Sequence, residues 1–568
     1  MKNTKLDAIQ LEILWNRVLA IVEEQARALM HTAFTTIVRE SGDLSAGIFD
    51  RSGNMIAQAV TGTPGHINAM ATCIKYFMAA FPEDKLNPGD VLITNDPWYT
   101  SGHLHDFTVV TPIFKGDKLV AYSANTCHVL DIGGIGFGTD ARDVYEEGLY
   151  VPIMKIYKGG KRNDELIDII KGNVRSPEPV LGDLYAQFVC NNVGGTRLLE
   201  MMDEFDLESI EPLAEEIISR SERAMREAIS KIPDGEYIQS IVTDGFNEPI
   251  TIKARVTVAG DQMIVDYDGT SPQSKQGINV VLNYTQAYTT FGLKCIISPD
   301  VPNNEGSFRP ITTRAPEGSI LNAQRPAPVG ARHIIGHFLS GVVIGAISKA
   351  LPDKGMADGY DSLWITQLNG TSDQDKPFAA VIFSVGGTGA LPGKDGLSAT
   401  PFPSNVRGVS AEVLESVYPL FIKQKALWPD SAGAGAFRGG FGHILEIHVN
   451  SREPFLLAPM YDRTNYPAQG IVGGKPGNAG EAVLTTGEKL HPKQRLEVAP
   501  GKGIVLRLPG GGGYGDPLER KPEKVLEDVV NELVSIEKAR QEYGVVIDPE
   551  SWTVDAAETA RVRAGKQQ

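Results

Sequence analysis

Hydrophobic positions along this chain follow two rhythms. Near the start, apolar residues recur every three or four positions with charges between them, which predicts a long amphipathic helix over residues 6–34. AGIFDRSGNMIAQAV then alternates about Ser52-Gly53 as a hairpin, and GHINAMATCIKYFMAAF returns to the helical period. NPGD turns the chain into GDVLITNDPWYTSGHLHDFTVVTPIFKGDKLVAYSANTCHVLDIGG. That stretch reads as a strand, a polar loop, a β-branched strand, a Gly-Asp turn and a third strand. A second amphipathic helix is expected over residues 207–232, followed by strands at YIQSIVTD, ITIKARVTVAG and QMIVDYDG. Helices are expected near 282–297 and 332–351. From Phe378 to Leu508 strand-like runs alternate with Gly-rich loops, and a charged amphipathic helix runs from Pro522 to near Tyr543.

There is no regular βαβ alternation and no internal repeat. The pattern predicts a multi-domain α+β protein with mixed and antiparallel β-sheets and packed helices. At 568 residues the chain is too long for one ordinary core. The expected division is a metal-site α+β domain at 1–235, a β-rich domain with helices and Gly-rich loops at 236–515, and a helical tail at 516–568.

Charge and cysteine usage narrow the class. A net charge of −16 without any Lys/Arg-rich stripe argues against nucleic-acid binding. Cys73, Cys127, Cys190 and Cys295 show no CxxC spacing, which predicts buried free thiols in a reducing compartment, the cytoplasm. The first thirty residues lack the uninterrupted apolar core of a signal peptide. HFLSGVVIGAISKAL is too short to span a bilayer and is flanked by Arg332 and Lys349, so a buried helix is expected there.

Candidate chemistry concentrates on the histidine-bearing strands. If they pair around Gly116-Asp117, Lys115 faces Lys118. Counting back sets His128 opposite His105 and beside Asp106. Two imidazoles and a carboxylate next to a polar loop suit an open divalent-metal site. The HxxD spacing of His103 and Asp106 is common by itself, and loop or core roles are its ordinary reading. A regular strand through His105 places His103 and His105 on one face and turns Asp106 away. A kink at Gly102 or a register slip brings Asp106 in instead, and the residues are compatible with both. Asp43, in RESGDLSAGIF, is a candidate fourth ligand as well as an ordinary turn aspartate.

Other motifs carry less. GALPGKD is one residue short of a phosphate loop, and Asp395 stands where Ser or Thr would hold magnesium. LPGGGGYGDP contains a formal GxGxxG, but Pro517 follows and no helix opens inside it, so it reads as a tight structural turn. The chain therefore shows no nucleotide site of its own. It has no GxSxG elbow and no evident nucleophile with a base. Glu412 and Glu415 share a helical face, with solvated or capping roles.

The segments NDPWYTSGHLHDFTVVTPIF, CHVLDIGG and EEGLYVP resemble the hydantoinase B/oxoprolinase family. So, in order, do RESGDLSAGIFDRSGNMIAQAV, SPDVPNNEGSFRPI, GGTGALPGKDG, RGGFGH and LPGGGGYGDPLER, and the likeness covers nearly the whole chain. It implies a hydantoinase B-like fold and a B-type subunit of an ATP-dependent hydrolase of lactams, hydantoins or oxoproline-like cyclic amides. Such a subunit is active only with an ATP-binding A-type partner of the hydantoinase A family, expected as an α2β2 heterotetramer. ATP and magnesium would sit in the partner, which phosphorylates the substrate carbonyl; a metal-bound water on this chain would then attack. The resemblance implies one divalent metal (Zn, Mn or Fe) on Asp43, His103, Asp106 and His128, thus favouring Asp106 over His105 as ligand. Catalytic roles are expected for Asp106 and, lining the same cleft, for His66 in TPGHINAM and His105. There is one departure: the family commonly has Thr-His-Leu-Pro-Asp where this chain has Gly102-His103-Leu104-His105-Asp106. The extra imidazole would tune the metal or hydrogen-bond a substrate. The alternatives are a B-type subunit of an acetophenone-type ketone carboxylase, and a structural subunit whose metal only holds the ribbon together.

Overall fold

The computed structural model describes residues 8–566. It contains two compact units, interleaved along the chain. The first takes the described residues up to Ile238, then Lys253–Arg332 and Ser404–Val406; the second takes Gln239–Ile252, His333–Pro403 and Arg407 onward. Residues 253–332 thus return to the first unit after the chain has entered the second.

The first unit is built on a seven-stranded sheet. Its strands are β1 (Leu44–Asp50), β2 (Met55–Gln58), β3 (Val91–Thr94), β4 (Asp106–Lys115), β5 (Lys118–His128), β6 (Met154–Lys158) and β7 (Lys161–Arg162), in the order β2-β1-β5-β4-β3-β6-β7. All neighbours are antiparallel. Strand alternation sorts side chains to two faces. Leu44, Ala46 and Ile48 join a core with the helices Ala8–Thr32 and Pro177–Glu204, while Phe49, Met55 and Tyr122 pack under the helix Pro64–Ala80. The expected start of the first helix, at residue 6, lies outside the described residues.

The helix Pro177–Glu204, the longest described, is not announced by a clean apolar stripe. Its buried face carries Asp183, Gln187 and Asn191. Asn191 and Gln187 bond to β4 and β5, and Asp183 accepts from Thr35. Gly182 lies against the Phe34 ring, where a Cβ would come within 2.3 Å.

The β4–β5 hairpin turns as its sequence predicts, with Lys115 opposite Lys118, but its register corrects the expected His105–His128 pairing. Phe114 pairs with Leu119 and Ile113 with Ala121, so Val120 is an extra residue, a β-bulge. Val120 and Ala121 consecutively join one core while Leu119 and Tyr122 join the other. Beyond the bulge every pair is one residue out of the counted register. Asp106, not His105, faces His128.

In the second unit, Pro377–Ser384, Trp364–Thr371, Phe455–Met460 and Leu496–Val498 form one four-stranded sheet. Leu420–Leu427, His443–Val449, Ile504–Arg507 and Glu481–Leu484 form another. Trp364, Leu368, Ile382, Leu445, Ile447 and Leu506 belong to one shared core. LPGGGGYGDP is not the tight turn expected but the hub of a backbone-to-backbone bundle. The N–H groups of Gly387, Gly433, Ala390 and Ile471 donate to the carbonyls of Pro509, Gly511, Gly512 and Gly513. Gly511, Gly512 and Gly513 donate in turn to the carbonyls of Gly440, Asp358 and Lys475. A Cβ on Gly511 would lie 1.9 Å from the Thr388 carbonyl oxygen, so only glycine allows this approach.

Two expected helices are broken. Residues 332–351 form His333–Gly336 and Phe338–Ile347, both largely buried. Residues 522–543 form Pro522–Val530 and Ile536–Tyr543, interrupted where Glu532 takes a φ of 60°. Val525, Val529, Ala539 and Tyr543 pack on Ala432, Ala434 and Phe441, which fixes this segment in place. Among the described residues no helix is long and apolar enough to cross a membrane. All four cysteines are free; Cys73, Cys127 and Cys190 are buried as expected, and Cys295 is exposed instead.

Candidate metal centre

The Val120 bulge gathers the site. His128 ends β5 and Asp106 begins β4 directly opposite it. The loop before β4 turns at Gly102, whose φ of +97° suits glycine and where a Cβ would lie 2.7 Å from Arg332 Cδ. That turn brings His103 back over the strand end. Asp43 precedes β1, and its carbonyl accepts the His128 N–H at 3.3 Å. His66 lies on the helix Pro64–Ala80. His103, His105, Asp106, His128 and His66 are all buried, and every one of these groups belongs to the first unit.

The two oxygens of Asp106 are used differently. Oδ2 accepts from Ser101 Oγ at 2.5 Å and Arg332 Nη2 at 2.6 Å, and lies 2.9 Å from His66 Nε2. Oδ1 makes no hydrogen bond among the described residues, yet lies 2.7 Å from His103 Nε2 and 3.3 Å from His128 Nδ1. His103, Asp106 and His128 each offer a ligand atom, all within 4.8 Å of one another, so they could hold a metal ion. Burial alone would raise the Asp106 carboxyl, but His66 and Arg332 hold it well below its ordinary range, as a carboxylate.

The tautomer of His103 is fixed from outside. Its Nδ1 lies 2.8 Å from the Gly330 carbonyl oxygen, which can only accept, so Nδ1 carries the proton. Nε2 then turns a lone pair toward Asp106 Oδ1. Burial and the Arg332 charge push the His103 imidazole down to about 3, so the ring stays neutral. Two electron-rich atoms facing each other at 2.7 Å can be bridged by a proton or by a cation, and with His128 this donor set could hold a divalent metal. Behind Gly330 stands Glu147, whose Oε1 accepts the Gly330 N–H at 2.6 Å and the Val329 N–H at 2.5 Å. Burial pushes that carboxyl up to about 8.

The other expected residues take distinct places. Asp43 stands at the edge, 3.6 Å from His66 Nε2 and 3.9 Å from His128 Nδ1, outside the tight three-residue cluster. His105 stacks on His128 with ring centroids 5.2 Å apart and does not enter the cluster. The Phe137 ring closes one side, 4.6 Å from His105 and 5.0 Å from His128. Sequence reasoning missed Ser101, Phe137, Glu147, Gly330 and Arg332 as parts of this site. Arg332 carried the best signal, a lone cation opening an apolar run, but the ion pair it makes spans 226 positions.

Fold and site together define an α+β protein carrying a buried carboxylate–imidazole centre at one end of a bulged ribbon. Residues 7–517 match the Hydantoinase B/oxoprolinase family, and the chain belongs to it. The beta subunit of the Pseudomonas jessenii caprolactamase is 31% identical, with 97% of this chain and 98% of that protein covered. A Pseudomonas sp. (strain NS671) protein, provisionally named as the B-type subunit of a D-/L-hydantoinase, is also 31% identical, with 98% of each covered. The crystal structure of ATP-dependent caprolactamase from Pseudomonas jessenii superposes with a TM-score of 0.92 at 30% identity, covering 99% of this chain and 100% of that one. A nucleotide-free acetone carboxylase structure reaches a TM-score of 0.90 at 20% identity, covering 99% of this chain and 83% of that one, a likeness of fold.

Proposed function

We propose that this chain is the metal-binding subunit of a heteromeric, ATP-dependent cyclic amide hydrolase located in the cytoplasm. The observation that carries the reading is the pairing of His103 Nε2 with Asp106 Oδ1, two acceptors that make no hydrogen bond at 2.7 Å inside a buried site. The full-length likeness to the beta subunit of a caprolactamase supports the substrate class. The absence of a phosphate-cradling motif supports an A-type partner that binds ATP and activates the amide, most simply in an α2β2 assembly.

In this reading His103, Asp106 and His128 are the ligands and Asp43 completes or borders the set. A bound Zn, Mn or Fe ion would supply Lewis acidity toward a carbonyl oxygen and lower the pKa of a nearby water. Ser101, Arg332 and His66 hold Asp106 Oδ2 and so aim Oδ1 inward. His66 donates from Nε2, which leaves its unpartnered Nδ1 able to take a proton during attack. His105 and Phe137 wall the site against bulk water, and the unpartnered His105 Nδ1 is free to hydrogen-bond a substrate.

The test is co-expression with an A-type partner, metal analysis, and ATP-dependent turnover of lactams, hydantoins, oxoproline, and ketones with bicarbonate. About one divalent metal per chain and ring-opened product are expected. Carboxylated ketone as the sole product would move the chain to the carboxylase reading. Full activity in metal-free protein would end the proposal.

A further inference from the structure

The second unit contains a small cavity unrelated to the histidine cluster. It measures about 170 Å³ and is lined by residues of both four-stranded sheets. Its apolar walls include Ile382, Val409 and Leu445, and three polar residues join them: Ser384, His443 and Lys425. Ser384 closes the strand Pro377–Ser384, and His443 opens His443–Val449. Lys425, on the strand Leu420–Leu427, pairs with Leu445 on the strand His443–Val449.

The polar groups are the informative part. Ser384 is 1% exposed and His443 7% exposed, yet among the described residues Ser384 Oγ and His443 Nδ1 have no hydrogen-bond partner. Buried polar atoms are rarely left so, because each carries its full desolvation cost. Among the described residues Lys425 makes no ion pair; its Nζ donates to the Val409 carbonyl at 2.6 Å, which tethers the cation to the cavity wall. Burial and the Lys425 charge push His443 down to about 4, so it adds a neutral ring with one N–H.

Water alone is a poor occupant. The volume corresponds to roughly five waters, and an aliphatic wall would leave most of them short of partners. A ligand with one polar head and an apolar body satisfies both halves of the lining. We propose that this cavity binds a short-chain aliphatic monocarboxylate, with the carboxylate received by Lys425, Ser384 and His443 and the alkyl chain among Ile382, Val409 and Leu445. A short carboxylate that displaces those roughly five waters matches the volume.

The experiment is calorimetric titration of the full chain with sodium hexanoate, with 1-hexanol as the uncharged control. Two variants are chosen to leave the fold intact. Ser384→Ala removes a hydroxyl that bonds nothing, and Lys425→Gln alters an exposed side chain. Circular dichroism melts verify both. One-site binding is expected, weakened about 5-fold or more in Lys425→Gln for hexanoate but not for hexanol, and about 3-fold in Ser384→Ala. No saturable binding of hexanoate, or equal affinity in wild type and both folded variants, overturns the proposal.

Discussion

The histidine ribbon of the first unit and the glycine bundle of the second solve opposite problems. At the ribbon, function depends on what side chains do: one carboxylate oxygen is held by three neighbours so that the other can face two imidazoles. In the bundle, structure depends on side chains being absent, since backbone carbonyls crowd Gly510–Gly513 from several directions. Substitution should therefore fail differently in the two places. A ribbon variant should remain folded and lose chemistry. A bundle variant should lose the fold, because no rotamer can relieve a clash between Cβ and backbone.

The largest expected effect tests the bundle. Gly511→Ala puts a Cβ 1.9 Å from the Thr388 carbonyl oxygen and should cost about 3 kcal/mol or more in urea unfolding, or abolish soluble expression. A cost under about 1 kcal/mol would mean that the bundle is loosely packed. Next, Asp106→Asn should leave the heteromer assembled while lowering coupled turnover at least ~10²-fold, as measured by product formation beside size-exclusion chromatography. If activity falls only as the complex dissociates, the centre is a structural staple. Third, His128→Ala should lose most of the bound metal by elemental analysis and His105→Ala should keep it. The reverse would contradict the bulged register.

A fourth test concerns Glu147, which sharpens the contrast between a ligand and its support. In the fold its carboxyl titrates near 8, against an ordinary 4.5, because of burial. Between those values the folded chain holds a proton that the unfolded chain has lost. This contribution to stability is therefore complete below about 4.5 and fades as pH rises through about 8. Wild type should thus lose stability relative to Glu147→Gln over that window, by at most ~1.4 kcal/mol per pH unit. Parallel melting curves across the window would disprove it.

Much of the first unit is legible in its sequence, because amphipathic spacing and turn residues act locally. The helices Ala8–Thr32, Pro64–Ala80 and Leu282–Ile297 and the Gly116-Asp117 turn fall as their patterns predict. What is not legible arises from contacts between distant residues. Val120 sits in the apolar run Leu119-Val120-Ala121, and nothing in such a run marks which residue will be skipped. Pro177–Glu204 hides its buried face behind Asp183, Gln187 and Asn191, whose partners lie on other elements. The glycines of LPGGGGYGDP look like a turn in isolation. Their need for close approach becomes visible only beside Thr388, Ser431 and Gly440.

Val120 also gives the ribbon a phase. Between the turn and the site, β5 spends one more residue than β4, and that offset decides whether histidine meets histidine or base meets acid. Which residue faces His128 is thus set by a count as much as by residue identity. A residue inserted at Gly116-Asp117 lies outside the counted stretch and leaves the offset alone. The same residue added between Ala121 and His128, or removed at Val120, would exchange Asp106 for a neighbour while leaving every site side chain in the sequence.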